Sequence, residues 1–532
     1  MDPERVAKSG TDGDVVVVGF GPVGATLAVL LAQRGWRVTA LDSWPQPYDQ
    51  PRATSFDGHA ARLLADAGIA AAVGRIGEPA DGYDWVNAAG QTLLHIPLRT
   101  IGRYGWPDAT TVHQPILEAA LAERATALPG LTVLRGHTVT AIEDDGEGVR
   151  VTAERAAGGS VVHAAKWVVG CDGANSFVRG WAGLPEADLG FSYDWMLCDV
   201  TFRVPRTFTP TNVQLCDPRR PATMVGSGPG RRRFEFMRLP GESVESLGRP
   251  GTAWRLLSRF DVTPSTAKLL RQRTYTFRSK WVTRWRKGRA LVAGDAAHQM
   301  PPFAGQGMCA GLQDAANLAW RLDRVLAGTS GEVLLDGYGE ERAARAEQTI
   351  RASVALGKVI CVSDEDAAQD RDRAMLARAA RPTGPEPADA LTNGLVHRTG
   401  GGVSPGAGAV LPQGRVAFQG RTGLLQEVIH SPGGPVFTLL TTGLPTEWAS
   451  TRLAELGVHT WSLARPAGAP ADAVTDLDEV VLSYLDAAGA GAVLVRPDHH
   501  VFGLARSPAD LPDLAEQLQK GLDRRVTQSG NL

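Results

Sequence analysis

The stretch from Asp14 to Asp42, DVVVVGFGPVGATLAVLLAQRGWRVTALD, most constrains what this chain can fold into. Four consecutive valines, Val15 to Val18, form an unbroken β-branched run that suits a strand buried on both faces. Gly19, Gly21 and Gly24 follow as G-x-G-x-x-G. Gly19 permits a tight turn, Gly21 lets a pyrophosphate approach the backbone, and Gly24 lets the next helix pack close to the strand. Ala25 to Gln33 are good helix formers, and Gly35 is a stop. Trp36 to Leu41 reads as a second strand ending at Asp42, where a carboxylate can accept both hydroxyls of an adenosine ribose. The glycines alone are a weak signal. The order strand, glycines, helix, strand and acid predicts a dinucleotide site.

The same stretch has a competing reading. Val15 to Ala32 is apolar except for Thr26, long enough to span a membrane. The Gly19-Phe20-Gly21-Pro22 break argues against one continuous helix, and the polar leader MDPERVAKSGTDG lacks the order of a secretory signal. A buried strand and helix in a soluble, cytoplasmic protein is expected. The five cysteines are scattered and none forms C-x-x-C, which suits a reducing compartment without a disulfide framework or zinc knuckle. A formal net charge of −2 gives no basic field for nucleic acid or an anionic membrane. At 532 residues the chain is too long for one core, so two or three domains are expected.

Beyond Asp42, a proline-broken loop carries Arg52. Helices are expected near His59 to Ala67, from Gln114 to Ala127, from about Gly311 to Ala327, and from Tyr338 to Lys358. Trp167 to Val169 and Leu291 to Ala293 read as further buried strands, each running into an acidic turn. From about Phe191 to Trp285 the texture becomes alternating and β-rich, as in VTFRV, FEFM and RTYTFRS, which predicts an inserted second sheet. Arg381 to Gly408 is rich in Gly and Pro and reads as a linker. A small α/β domain follows. His499-His500, between two of its strands, could ligate a metal, but no ligand cluster accompanies them, so a solvated turn and no metal are expected.

Two more motifs select the dinucleotide. One is Cys171-Asp172-Gly173-Ala174-Asn175-Ser176-Phe177-Val178-Arg179. The other is Arg289-Ala290-Leu291-Val292-Ala293-Gly294-Asp295-Ala296-Ala297-His298, continuing Met300-Pro301-Pro302-Phe303-Ala304-Gly305-Gln306-Gly307-Met308. With these the chain resembles the flavoprotein aromatic hydroxylases, single-component monooxygenases of the para-hydroxybenzoate hydroxylase fold. The resemblance spans about residues 12 to 360. Arg232-Arg233-Phe234-Glu235-Phe236-Met237 and Leu215-Cys216-Asp217-Pro218 are similar to segments of the 3-(3-hydroxyphenyl)propionate hydroxylase group. The implied fold is α/β: a Rossmann-like FAD-binding domain (12–80, 105–190 and 286–385), an inserted β-sheet substrate domain (81–104 and 191–285), a linker (386–408) and a thioredoxin-like C-terminal domain (409–532). Without C-x-x-C, that last domain is expected to lack dithiol chemistry. Cys309-Ala310 departs from the Asn-Ser of many relatives, at a place where the cofactor meets backbone.

The resemblance implies FAD contacts from Gly19, Gly21, Pro22, Val23, Gly24, Asp42, Ser43, Arg52, Gln114, Asp172, Gly294, Asp295, Pro302, Gly305, Gln306, Gly307 and Met308. Arg52 could instead cap a loop, Gln114 could be a helix-start residue, and Asp172 could only tie down a turn. The implied reaction hydroxylates a phenolic ring through a flavin C4a-hydroperoxide, with NADH or NADPH as transient co-substrate and O2 as oxidant. No second G-x-G-x-x-G supplies a nicotinamide domain. Flavin halogenases carry Trp-x-Trp-x-Ile-Pro, which Trp281-Val282-Thr283-Arg284-Trp285 does not match. His95, Tyr193 and Tyr275 are candidate bases, and Arg232, Arg233 and Arg238 are candidates for a substrate carboxylate. A polycyclic or polyketide phenol as substrate, and a non-catalytic flavin-binding protein, remain as alternatives. The expected partner is a small aromatic molecule, with a homodimer possible and neither nucleic acid nor membrane.

Overall fold

The computed structural model describes residues 13–379, 390–430, 433–443 and 447–523. The Val15–Val18 strand lies inside a six-stranded sheet whose order is Arg286–Lys287, Ala290–Val292, Trp167–Gly170, Val15–Val18, Val38–Asp42 and Leu131–Arg135. All neighbours run parallel except the first pair. The four valines are buried, as a strand covered by helices on both faces requires. Parallel pairing brings the carboxyl ends of separate segments to one edge. Gly19, Ser43, Cys171 and the Ala293-Gly294 turn therefore emerge side by side, where open α/β sheets place their ligands.

The helix Pro22–Gln33 starts at that edge and packs on the long helix Gly307–Leu326. Two glycines make room for Val23 of the first helix, Gly294 in the turn after Ala290–Val292 and Gly311 in the second helix. A methyl on Gly294 would come within 3.0 Å of Val23 Cγ2, and one on Gly311 would overlap the same side chain.

A seven-stranded sheet stands against this edge, in the order Ala267–Phe277, Tyr193–Phe202, Arg231–Met237, Ala222–Gly226, Asn212–Cys216, Gly82–Asn87 and Thr92–Pro97. Only the pairing of Asn212–Cys216 with Gly82–Asn87 is parallel. One face, with Met196, Cys198, Phe234 and Phe236, packs on the helix Pro250–Leu257. The other, with Trp85, Trp195, Met237 and Phe277, packs on Phe303 and on Ile360 from the helix Val333–Ile360. Both faces are therefore covered, and Asp199, Arg233 and Glu235 on the second face are buried.

A mixed sheet closes the chain, in the order Arg421–Leu424, Arg415–Phe418, Val474–Asp476, Val458–Ala464, Phe437–Thr441, Ala492–Val495 and Val501–Ala505. Trp320 and Leu334 from the amino-terminal part share its core with Phe437, Leu494 and Leu514. Of the stretch read as a linker, residues 381–389 lie outside the described residues. The remainder is packed rather than free: Leu391, Val396 and Ala407 are buried together, and His397 N and Gly408 N donate to Phe502 O and Val501 O.

The reading of His499-His500 as a solvated turn is overturned. Both are buried, at 1% and 3% exposure. His499 Nε2 meets Asp66, and His500 packs edge-on against His59 at 5.7 Å between centroids. The turn between two strands is covered by the helix Gly58–Leu64 and the turn after it, a contact between residues more than 400 positions apart. No helix among the described residues is long and apolar enough to cross a membrane.

Candidate cofactor and substrate site

Two helix N-termini open on one groove. Gly21 caps Pro22–Gln33, with Pro22 at the first helical position where no N–H is required. Gln306 caps Gly307–Leu326, preceded by Gly305 in a left-handed conformation at φ 65°. The glycines on this groove divide by what surrounds them. Methyl groups on Gly19 or Gly24 would run into the Cys171 and Gly19 backbone, respectively. A methyl on Gly21 would meet nothing within 4 Å, and those on Gly305 and Gly307 would meet only single atoms at 4.0 Å. Tight glycines hold the turn together, while open glycines leave backbone bare toward the groove. Bare amides at two helix N-termini fit an anionic, pyrophosphate-containing cofactor.

Asp42 borders the glycine turn. Its carboxylate accepts Phe20 N at 3.0 Å and Trp44 N at 2.8 Å, which fixes its position and leaves acceptor capacity over. Ser43 beside it is exposed. Arg52 and Asp295 converge from opposite walls, with Arg52 Nη1 3.8 Å from Asp295 Oδ2 and both side chains half exposed. Gln114 is buried, and its carbonyl accepts Arg52 N at 2.9 Å and Ala53 N at 2.8 Å. It therefore holds the Arg52 loop instead of pointing into the groove. Asp172 accepts from Ser176 Oγ and from Val178 N at 3.1 Å; the structure gives it the turn-tying arrangement. Pro302 and Met308 lie half-buried at the mouth of the long helix.

A buried trio behind the Gly294-Asp295 turn escaped sequence reasoning. Asp314 Oδ2 accepts Gly294 N at 2.9 Å and lies 2.7 Å from His298 Nε2, while Arg342 Nε donates to Oδ1 at 2.7 Å. Burial works against its charge, but His298 and Arg342 hold the carboxyl below its ordinary value. The spacing of Asp314 and Asp295 carried no sign of this contact.

From the turn before Gly305, Phe303 reaches the seven-stranded sheet, packing on Trp195 and Phe277 at 5.7 and 5.4 Å between centroids, and on Phe191 at 6.5 Å. A cavity of 410 Å³ opens nearby, bounded by Tyr193, Met237, Arg238, Thr276 and Cys361 among others. Of the candidate bases, Tyr193 borders this cavity and Tyr275 stands beside Phe277 at 5.1 Å. His95 does not reach it: its side chain is 56% exposed on the edge strand and meets Asp84. The three candidate arginines already have partners. Arg232 donates to Thr211 O and lies 3.7 Å over the Phe208 ring. Arg233 is paired with Asp199, and Arg238 with Asp194.

Replacing Gln114 tests the loop. Gln114→Ala leaves the Arg52 and Ala53 amides without their acceptor, a loss of about 1–3 kcal/mol. FAD affinity, followed by flavin fluorescence quenching, is expected to fall about tenfold, since 1.4 kcal/mol corresponds to one decade.

A parallel sheet, two helix N-termini over one groove and a second sheet closing it define the class of FAD-dependent oxidoreductases. The chain belongs to the FAD binding domain family, which matches residues 12–353, and residues 408–521 match the HcaD C-terminal domain. A probable NADH-specific resorcinol 4-hydroxylase of Rhodococcus jostii (strain RHA1) is 37% identical over 95% of this chain and 94% of that one. A 3-(3-hydroxy-phenyl)propionate/3-hydroxycinnamic acid hydroxylase of Comamonas testosteroni is 35% identical over 71% of this chain and 64% of its own length. Among solved structures, aklavinone-11 hydroxylase, in a ternary complex with FAD and aklavinone, matches with TM-score 0.79 at 24% identity, covering 97% of this chain and 100% of that one.

Proposed function

We infer that the chain is an FAD-dependent monooxygenase that uses NADH or NADPH and O2 to hydroxylate a phenolic ring. The observation that carries this reading is the meeting of two walls: bare helix N-termini and Arg52–Asp295 on one side, Trp195 and Phe277 on the other, with Phe303 reaching from the first to pack on the second. Bound FAD supplies the hydride-accepting and oxygen-activating chemistry. The amides at Gly21, Gly305 and Gly307 would hold its anionic and electron-rich portions, Asp42 the adenosine ribose and Asp295 the ribityl chain. The aromatic wall holds a planar ring and excludes water, which keeps reducing equivalents from being lost to side reactions. A monocyclic dihydroxybenzene is the favoured substrate, supported by the resorcinol hydroxylase relative that matches nearly the whole chain.

The domain division proposed is 12–80, 105–190 and 286–385 for FAD, 81–104 and 191–285 for substrate, and 409–532 as a thioredoxin-like unit. Two parallel strands, Phe437–Thr441 and Val458–Ala464, beside the antiparallel pair Ala492–Val495 and Val501–Ala505, support the last assignment. The test is NADH and NADPH consumption by the FAD-loaded protein with resorcinols, hydroxyphenylpropionates and polycyclic phenols, with products weighed by mass spectrometry. A gain of one oxygen atom on a resorcinol supports the reading. FAD binding with no phenol-dependent NAD(P)H oxidation would leave a non-catalytic flavoprotein.

A further inference from the structure

The face of the seven-stranded sheet that looks toward the groove buries a charged cluster. Along Arg231–Met237, alternation puts Arg233, Glu235 and Met237 on this face, and the ladder sets Glu235 between Leu197 and Thr223. Arg233 grips Asp199 with two bonds, at 2.7 and 3.1 Å. It also donates to Arg52 O at 2.6 Å and Pro51 O at 2.7 Å. Arg271 donates to Pro51 O as well and lies 3.7 Å from Asp199. The cluster thus sits directly behind the Arg52 loop.

Glu235 differs from the others. It is 8% exposed; among the described residues no group donates a hydrogen bond to its carboxylate, and its oxygens are not sealed from solvent. The cation within reach, Arg233 Nη1, is 4.0 Å away. A buried carboxylate without a donor is costly, so such a group has strong acceptor capacity to offer a ligand. Tyr83 and Tyr275 are the phenols close enough to feel its charge.

We propose that Glu235 is the base that takes the proton of the substrate phenol. The phenolic O–H bond breaks, the proton goes to a Glu235 carboxylate oxygen, and the electron pair stays on the phenoxide oxygen, enriching the ring for attack. This rests on the phenol hydroxylase reading above. With Glu235 ionised, Asp199 and Glu235 balance Arg233 and Arg271. After proton transfer the cluster carries one net positive charge beside the new phenoxide, which stabilises it. Burial, helped by Asp199, lifts the Glu235 carboxyl to about 7, while Arg233 and Arg271 hold it back. That brings it nearer the pKa of a phenol, about 10, and suits a base working near neutrality. Burial and the charge of Glu235 push the Tyr275 hydroxyl well above its ordinary range, so Tyr275 stays a donor and is not the base.

Glu235→Gln keeps the shape and removes the base. A nitro-substituted phenol, bound to the FAD-loaded protein without NAD(P)H, reports its own ionisation through the phenoxide absorption band in a difference spectrum. Bound to the natural protein above about pH 7, the probe faces a cluster of no net charge, because Glu235 is ionised there. In Glu235→Gln the cluster keeps one net positive charge at every pH, so the probe's midpoint is expected to fall by about one unit, a tenfold change in ionised fraction. The acid limb of kcat/KM, which climbs through about 7 as the base ionises, disappears with it. Glu235→Asp restores part of both effects, and it decides the matter if the Gln variant does not fold. Variants whose probe midpoint and pH limb match the natural protein overturn the role of Glu235 alone. A natural protein that neither binds the probe nor oxidises NAD(P)H with any phenol overturns the hydroxylase reading as well.

Discussion

Gly21→Ala is expected to yield a folded chain that has lost most of its FAD, whereas Gly24→Ala is expected not to assemble its amino-terminal sheet. The two glycines stand three residues apart in one turn, but their surroundings are opposite. A methyl on Gly24 would overlap the Gly19 carbonyl oxygen and press on Cys171 Cβ at 3.0 Å. Both neighbours belong to the sheet edge, so neither yields cheaply. The cost should reach or exceed the upper end of overpacking, about 3 kcal/mol. A methyl on Gly21 would meet no protein atom within 4 Å, and its backbone is extended at φ −77°, which alanine adopts without strain. As an N-cap, alanine costs up to about 1 kcal/mol relative to the better residues. The methyl instead occupies the space a pyrophosphate would use, and a loss of about tenfold or more in affinity, 1.4 kcal/mol per decade, follows. Flavin content after purification, the FAD dissociation constant and the apo-protein's thermal midpoint separate the two outcomes. Gly21→Ala that binds FAD as the natural protein does would mean that the pyrophosphate does not lie over Gly21.

This contrast also marks how far the sequence was legible. The glycine pattern, the strand of four valines and Asp42 announce their geometry because each depends on neighbours close in the chain. The strands at Trp167 and Leu291 are legible for the same reason: short apolar runs followed by an acidic turn. Helix starts were less so. Gly307–Leu326 begins four residues before the expected Gly311, because open glycines at a helix N-terminus resemble loop. Glu365–Ala379 was missed, since its charge-rich pattern shows no apolar face. Glu235 escaped because alternating charged and aromatic residues imply a strand with one wet face. Only the packing of a second sheet against the groove makes that face dry. His499 and Arg62 escaped similarly, since their partners Asp66 and Gln426 lie 433 and 364 positions away.

Arg496→Met is expected to destabilise the junction between the amino-terminal part and the C-terminal sheet by about 3–5 kcal/mol, the cost of stranding a buried charge. Arg496 is fully buried and donates to Glu341 at 2.9 and 2.8 Å and to Asp498 at 3.1 and 2.6 Å. Arg321 also pairs with Glu341, at 2.6 Å, and Asn317 Nδ2 donates to both carboxylates, at 2.8 and 3.0 Å. Two cations and two anions therefore balance, and they come from both sides of the junction. Removing Arg496 leaves one buried negative charge in excess. Arg496→Met combined with Asp498→Leu removes one charge of each sign, and it should recover much of the loss, since apolar replacement of a buried pair is often close to neutral. The same network sets an acid limit. Burial alone would raise the Glu341 carboxyl, but Arg321 and Arg496 bring it from an ordinary 4.5 down to about 2. A carboxyl depressed in the folded state contributes stability that is present above its unfolded value and lost as pH falls through its folded one. The natural protein should therefore lose this contribution between about pH 4.5 and 2, and Arg496→Met should lose less over the same range because its Glu341 is less depressed. Urea midpoints measured across that range, with limited proteolysis near residue 390 to show which part opens first, test both statements. A destabilisation below about 1 kcal/mol at neutral pH, in the range of an exposed pair, would mean that the junction is held by its apolar contacts alone.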